Sequence, residues 1–97
     1  MAKEDLIAQI ENIKIERNEG NGGLCAFFEM DGKQYWADLA NVMHVGTECM
    51  IFPAKDGEVT SWHEEYCNRG MPITEQALLD CIQEFAEERL NDKGNKD

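Results

Sequence analysis

Two β-strands joined by a tight turn are predicted by residues 47–66, TECMIFPAKDGEVTSWHEEY. Bulky apolar side chains are frequent in residues 47–52, the first strand, and Pro53 is expected to end it because proline lacks a ladder donor. Asp56-Gly57 supplies the turn, since Gly accepts a positive φ and Asp bonds its own backbone. Residues 59–66 alternate with period two, which predicts the second strand. The rest of the chain is expected to lie around this hairpin.

The length and composition indicate one small folded domain. The chain has 97 residues, 42% of them hydrophobic, including two Trp, two Tyr and four Phe. A disordered chain carries fewer apolar side chains, so we expect a single domain over residues 1–97, with residues 91–97 as a frayed polar tail. The N-terminal stretch lacks the apolar region of a signal peptide, and no apolar run is long enough to span a membrane. A cytoplasmic protein is therefore predicted.

Around the hairpin, the chain is predicted to add two helices and three strands. Apolar side chains at helical spacing predict a short N-terminal helix over residues 3–11. Period-two patterns predict strands over residues 13–17 and 34–39, and a mostly apolar run predicts a central strand over residues 24–30. Thr74 caps a C-terminal amphipathic helix. Its apolar stripe consists of Ala77, Leu78, Cys81, Ile82, Phe85, Ala86 and Leu90. The expected fold is α+β, an antiparallel β-meander of about five strands with the C-terminal helix packed on one face.

The net charge indicates which classes of binding partner are disfavoured. Twenty acidic against nine basic residues give a formal net charge of −11. DNA, RNA and anionic membranes are bound through basic patches, so direct binding to them is disfavoured. A basic protein partner is compatible with this charge.

The outer face of the C-terminal helix concentrates carboxylates. Asp80–Glu84 and Glu84–Glu88 are like-charge pairs at i, i+4, each costing about 0.2–0.5 kcal/mol. Two interpretations stay open: a solvated face, tolerated because salt screens it, or a surface shaped for a groove of Arg and Lys. On the second interpretation, the predicted partner-binding residues are Asp80, Glu84, Glu87 and Glu88, with Glu64 and Glu65 behind them.

The sequence predicts neither an enzyme nor a cofactor. The four cysteines form no C-x-x-C pair, and in a reducing cytosol they are expected to be small buried hydrophobes. His63, Cys67 and Cys49 are candidates for a zinc site, yet the short paired spacings of structural zinc sites are missing. Cys–His nucleophilic catalysis also needs an orienting third group, which no pattern here indicates. A metal site or thiol enzyme is the weakest alternative.

The aromatic side chains have two interpretations. Trp36, Trp62, Tyr35 and Tyr66 are either core residues or anchors of a binding surface. The alternation of the second hairpin strand places Trp62 and Tyr66 on the same face. An adaptor or structural accessory protein that binds through a patch around Trp36 and Trp62 is therefore the alternative function.

One resemblance covers about a third of the chain. At Glu48, residues 50–53 (MIFP), residues 56–60 (DGEVT), Trp62, Glu64 and Tyr66, and then at Thr74-Glu75 and Ala77 of the helix start, the chain resembles small acidic proteins encoded by phages and mobile elements of Firmicutes. Those proteins share an E-T-M-V-F strand, a D-G-x-V-x-D-W turn and strand, and a T-E-E-E-A helix start. Here Cys49 replaces the usual threonine and Ser61 the usual aspartate. The resemblance implies a mobile-element accessory protein and assigns no functional residue, because the family has no assigned activity.

The functional prediction is a non-enzymatic acidic binding protein. In its most concrete form, it inhibits a host defence nuclease by occupying that enzyme's basic nucleic-acid-binding groove, as anti-CRISPR and anti-restriction proteins do. Oligomeric state is left open, since the first or last strand could pair as an exposed edge.

Overall fold

One antiparallel sheet and one helix form the part of the chain that the computed structural model describes, residues 11–30 and 32–94, with side chains for residues 13–30 and 32–89. The elements are β1 Glu11–Asn18, β2 Gly23–Met30, β3 Lys33–Val42, β4 Gly46–Lys55, β5 Glu58–Val59, β6 Tyr66–Arg69 and α1 Glu75–Gly94. The strands follow the order β1-β2-β3-β4, and β5 and β6 share the remaining edge of β4. The predicted α+β meander with five strand positions is confirmed.

The ends of the chain differ from the prediction or lie beyond what is described. The predicted N-terminal helix, residues 3–11, lies outside the described residues except for Glu11, which begins β1. At the other end, α1 continues to Gly94, past residue 91, where the polar tail was expected to begin. Residues 95–97 are outside the described part.

The core lies between α1 and one face of the sheet, here called the inner face. Side chains alternate along each strand, so Phe28, Tyr35, Leu39 and Ile51 point towards the helix and are 3% exposed or less. The predicted stripe of α1 is buried from Ala77 to Ala86; the side chain of Leu90 lies outside the described part.

Helix α1 begins at a side-chain cap and packs through aromatic rings. Thr74 Oγ1 accepts a hydrogen bond from the backbone N–H of Ala77 at 3.1 Å, which confirms the predicted cap. The Phe85 ring lies 5.0 Å from that of Tyr35 and 6.1 Å from that of Tyr66, both edge-to-face. Among the described residues, no helix has the length and apolar character needed to cross a membrane.

The predicted hairpin of residues 47–66 is wrong in two respects. Strand β4 runs through Pro53 to Lys55, and its partner is interrupted: β5 ends at Val59, residues 60–65 leave the sheet, and β6 resumes at Tyr66. The chain therefore places six residues opposite only Phe52 and Pro53, since Ala54 pairs with Val59 and Ile51 with Tyr66.

Proline explains where the ladder breaks. The Pro53 carbonyl accepts hydrogen bonds from Thr60, from its N–H at 2.9 Å and its hydroxyl at 3.2 Å, so Pro53 faces the interrupted edge. The Pro53 nitrogen carries no hydrogen, so it cannot donate the second backbone hydrogen bond of this strand pair. The ladder continues only at Ile51, whose carbonyl accepts from the N–H of Glu65 at 2.8 Å. Residues 60–65 consequently form an outward loop, here called the 60–65 loop.

Candidate protein-binding surfaces

Four carboxylates share one side of α1. Asp80, Glu84, Glu87 and Glu88 fall within an arc of about 100° at 3.6 residues per turn. They lie along the flank of α1 that adjoins the buried stripe at Ala77 and Cys81; Glu87 is half-buried and the other three are exposed. Asp80, Glu84 and Glu88 follow one another at about 6 Å of helical rise. We call these four residues the acidic helix face.

The acidic helix face is only partly neutralised by its surroundings. Asp80 accepts a hydrogen bond from the Gln76 amide at 2.9 Å, and Glu84 accepts one from the Tyr66 hydroxyl at 2.8 Å. Neither these two carboxylates nor Glu88 has a cationic side chain within ion-pair distance among the described residues. Glu87 accepts a hydrogen bond from Gln83 at 3.2 Å. The face therefore presents negative charge to solvent.

The hydrogen bond from Tyr66 to Glu84 also affects titration. Burial raises the pKa of Tyr66 well above its ordinary value. The adjacent Glu84 carboxylate raises this pKa further, because it accepts a hydrogen bond from the phenol and would repel a tyrosinate. Tyr66 therefore remains a proton donor across the physiological range. The bond ties the acidic helix face to β6 and holds Glu84 at the edge of the sheet.

The two glutamates predicted to stand behind this face differ from each other. Glu65 forms an ion pair with Arg89, whose guanidinium also lies 5.1 Å from the centre of the Phe85 ring. Its charge is thus neutralised within the molecule. Glu64 is exposed in the 60–65 loop. Neither residue lies on α1, so the structure brings together the four helix residues and leaves these two apart from the row.

A cleft of about 270 Å³ borders the acidic helix face. It lies between α1 and the segment that joins β6 to α1. Its wall combines carboxylates with apolar groups: Asp80 and Glu84 on one side, and Met71, Pro72 and Ala77 among the remainder. A lysine or arginine side chain has a matching character, with an apolar stem and a charged head.

A second surface lies on the opposite, outer face of the sheet. Phe27, Trp36 and Phe52 stand side by side in neighbouring strands, because the register pairs Phe27 with Trp36 and Trp36 with Phe52. Trp62 reaches over them from the 60–65 loop, with its ring 5.2 Å from that of Phe52 and 6.2 Å from that of Trp36, both edge-to-face. We call these four residues the outer aromatic patch.

Exposure varies across the outer aromatic patch. Phe52 is 7% exposed because Trp62 covers it, whereas Trp62 itself is 69% exposed. Trp36 is half-buried. Tyr35 and Tyr66 belong to the core on the inner face, so the predicted placement of Trp62 and Tyr66 on one face is wrong. The interruption after Val59 breaks the alternation on which it depended.

The structure separates the residues considered for metal or thiol chemistry. Cys49 is buried on the inner face, Cys67 is exposed on the outer face opposite Met50, and His63 lies in the 60–65 loop. Among the described residues, no group of three or more His, Cys, Asp or Glu side chains is placed to hold a metal ion.

A thiol pair does occur, but inside the core. Cys49 lies close to Cys81 of α1, and this proximity raises the pKa of Cys49 and lowers that of Cys81. Both side chains are 4% exposed or less. These two cysteines confirm the expectation of buried hydrophobes, whereas Cys67 is exposed and Cys25 half-buried, contrary to it.

Sequence reasoning missed Phe27 and Phe52 as members of the outer aromatic patch. The register set by the turns between β2, β3 and β4 aligns them with Trp36, and this was the signal that could have found them. Comparison with protein-family models, with curated proteins and with solved structures gives no match to this chain.

Proposed function

We propose that the protein is a non-enzymatic binding protein whose acidic helix face docks on a basic protein surface. In its most specific form, the partner is a host defence nuclease, and the carboxylates occupy the groove in which that enzyme holds nucleic acid. The row Asp80, Glu84, Glu88, without a cationic neighbour among the described residues, is the observation that carries the proposal.

Energetics support a functional origin for this row. Like charges one turn apart oppose helix formation by about 0.2–0.5 kcal/mol per pair, and interleaved lysines would relieve that cost. A groove lined by Arg and Lys would turn the repulsion into attraction and raise the association rate. The adjoining cleft could receive the aliphatic stem of one such side chain. The mobile-element resemblance supports the choice of a host nuclease.

The test is an affinity capture from a Firmicutes lysate at low and high salt, followed by cleavage assays with the captured nuclease. Asp80→Asn with Glu88→Gln removes two charges without touching the Tyr66–Glu84 bond. At about 0.2–1 kcal/mol per exposed ion pair, we expect inhibition to weaken about twofold to thirtyfold. The matched control is Glu19→Gln with Glu58→Gln, which makes the same change of net charge at exposed positions in the β1–β2 turn and in β5.

Two results would contradict the proposal. Equal losses in the variant and the control would show that net charge, not the acidic helix face, drives binding. Capture of a nuclease whose activity is unaffected by the purified protein would refute the inhibitory form, even if the contact itself is real.

The outer aromatic patch favours a second candidate function, that of an adaptor or structural accessory protein. An exposed tryptophan backed by three further rings is an uncommon surface for an isolated domain and is typical of binding sites. High salt separates the two candidates, because a complex driven by the acidic helix face should weaken steeply and one driven by apolar contact should not.

A further inference from the structure

We propose that the outer aromatic patch binds an arginine-containing peptide segment, with a guanidinium group stacked on the exposed ring of Trp62. This inference rests on the second candidate function and is independent of the acidic helix face. It assigns the patch a ligand of defined chemistry: a cationic, planar side chain carried on an extended peptide.

The carboxylates around the patch give the first reason. Glu29 lies two residues beyond Phe27 on the outer side of β2, and Asp38 two residues beyond Trp36 on β3. Because β2 and β3 are antiparallel, these acids flank the aromatic row on opposite sides, each about 7 Å from it. Glu64 follows Trp62 in the 60–65 loop. Aromatic groups are therefore surrounded by negative charge.

We call Glu29, Asp38 and Glu64 the acidic rim of the patch, and few cations in the described part neutralise this rim. Lys14 pairs with Phe27 across β1 and β2, but its ammonium is engaged by Glu16 at 3.3 Å. Asp38 accepts only neutral amide donors, from Asn18 at 3.2 Å and from Asn21 at 3.2 and 3.3 Å. The side-chain carboxylates of Glu29 and Glu64 form no hydrogen bond or ion pair among the described residues. A cationic ligand is what the rim lacks.

The geometry of Trp62 gives the second reason. It meets Trp36 and Phe52 edge-to-face, at interplanar angles of 88° and 68°. The Trp36 and Phe52 rings support the indole on the side of the sheet, and 69% of the Trp62 surface remains exposed to solvent. Tryptophan provides the best ring for a cation–π contact, and arginine adds planar stacking to the attraction.

A second copy of this chain is the less suitable occupant. Each copy carries a formal charge of −11, and a face-to-face dimer would bring two negative rims together. Nucleic acid is disfavoured for the same reason. Charge complementarity therefore selects a basic peptide.

The test uses the full chain and a fluorescein-labelled peptide in which three arginines alternate with glycine. Anisotropy titrations give its affinity for the wild type, Trp62→Ala and Trp62→Phe. We expect binding to weaken about threefold to thirtyfold in Trp62→Ala, the range of cation–π contacts from exposed to desolvated, and to be intermediate in Trp62→Phe. A peptide with citrulline at each arginine, a neutral group of the same shape, should bind much more weakly.

Controls separate this site from the rest of the surface. Met43→Ala removes a side chain that is 80% exposed at the β3–β4 turn and should leave the affinity unchanged. Asp80→Asn with Glu88→Gln should change the peptide affinity little. If the proposal for the acidic helix face is refuted, the proposal for the outer aromatic patch is therefore not refuted with it. In a ¹⁵N spectrum, the indole N–H signal of Trp62, assigned by its loss in Trp62→Phe, should move on titration.

Three results would overturn the inference. These are equal binding of the arginine and citrulline peptides, undiminished binding by Trp62→Ala, and a concentration-dependent dimer that Trp62→Ala dissolves. The last would assign the patch to a second copy of the chain. If circular dichroism shows that Trp62→Ala does not fold, two results still test the inference: the affinity of Trp62→Phe for the peptide and the movement of the Trp62 indole signal on titration.

Discussion

Glu88→Lys should make the protein more stable and a poorer binder at once. The exposed Glu88 carboxylate follows Glu84 by one turn and forms no ion pair with any described cationic side chain. The substitution removes the repulsion between Glu84 and Glu88, worth about 0.2–0.5 kcal/mol, and replaces it with an attraction worth about the same, with the acid N-terminal to the lysine in the better orientation. The expected gain in the free energy of unfolding is about 0.4–1 kcal/mol, or about 2–8 °C in Tm for a domain of this size.

Urea denaturation followed by circular dichroism measures this gain. Glu88→Gln is the matched control and should show about half of the gain, since it removes the repulsion without adding an attraction. At about 1 M salt, where the Debye length is about 3 Å, most of the difference should vanish. A Glu88→Lys protein that is less stable than wild type at low salt would refute the reasoning, because Glu88 would then make a stabilising contact. A gain unaffected by salt would show that the cause is not electrostatic.

Three further predictions concern the core and its titration. Gly23→Ala places a Cβ 2.1 Å from the Leu39 carbonyl oxygen and should lower the free energy of unfolding by about 1–3 kcal/mol, whereas Gly20→Ala, whose nearest contact is a flexible side chain, should be mild in the same urea titration. Phe85→Ala should cost about 3–5 kcal/mol, a large share of the total for a chain this small, and a Tm close to that of wild type would contradict the packing described. Because the folded-state pKa of Tyr66 is raised above its ordinary 10.0, its contribution is complete below about pH 10 and is lost as the pH rises further. Tyr66→Phe should therefore flatten the alkaline loss of stability, and a pH profile identical to that of wild type would count against the buried phenol.

Periodicity was sufficient to predict the elements that bury one face. The stripe from Ala77 to Ala86 repeats at helical spacing and is buried, and Thr74 caps the helix as its side chain predicts. Strands β2 and β3 contain the residues predicted for them, 24–30 and 34–39. These features depend on local patterns, in which each residue type favours the structure that it adopts.

The interrupted edge could not be predicted from the same patterns. Residues 59–66 alternate well enough for a strand. However, Pro53 on the neighbouring strand β4 lacks a hydrogen-bond donor, and this interrupts the pairing of the segment opposite it. That effect is tertiary, because it requires knowing which residue faces Pro53 across the ladder. For the same reason, Phe27 and Phe52 became part of the outer aromatic patch only once the register was known.

The two candidate surfaces lie on different layers of the fold, and this determines how their tests combine. Helix α1 covers the inner face of the sheet and turns the acidic helix face to solvent, whereas the outer aromatic patch lies across the sheet on the other side. Neutralising Asp80 and Glu88 therefore examines one surface, and Trp62→Ala examines the other, with little coupling expected between distant sites. If a captured partner is lost in both variants, it must either wrap around the edge formed by β5 and β6 or bind through two separate segments.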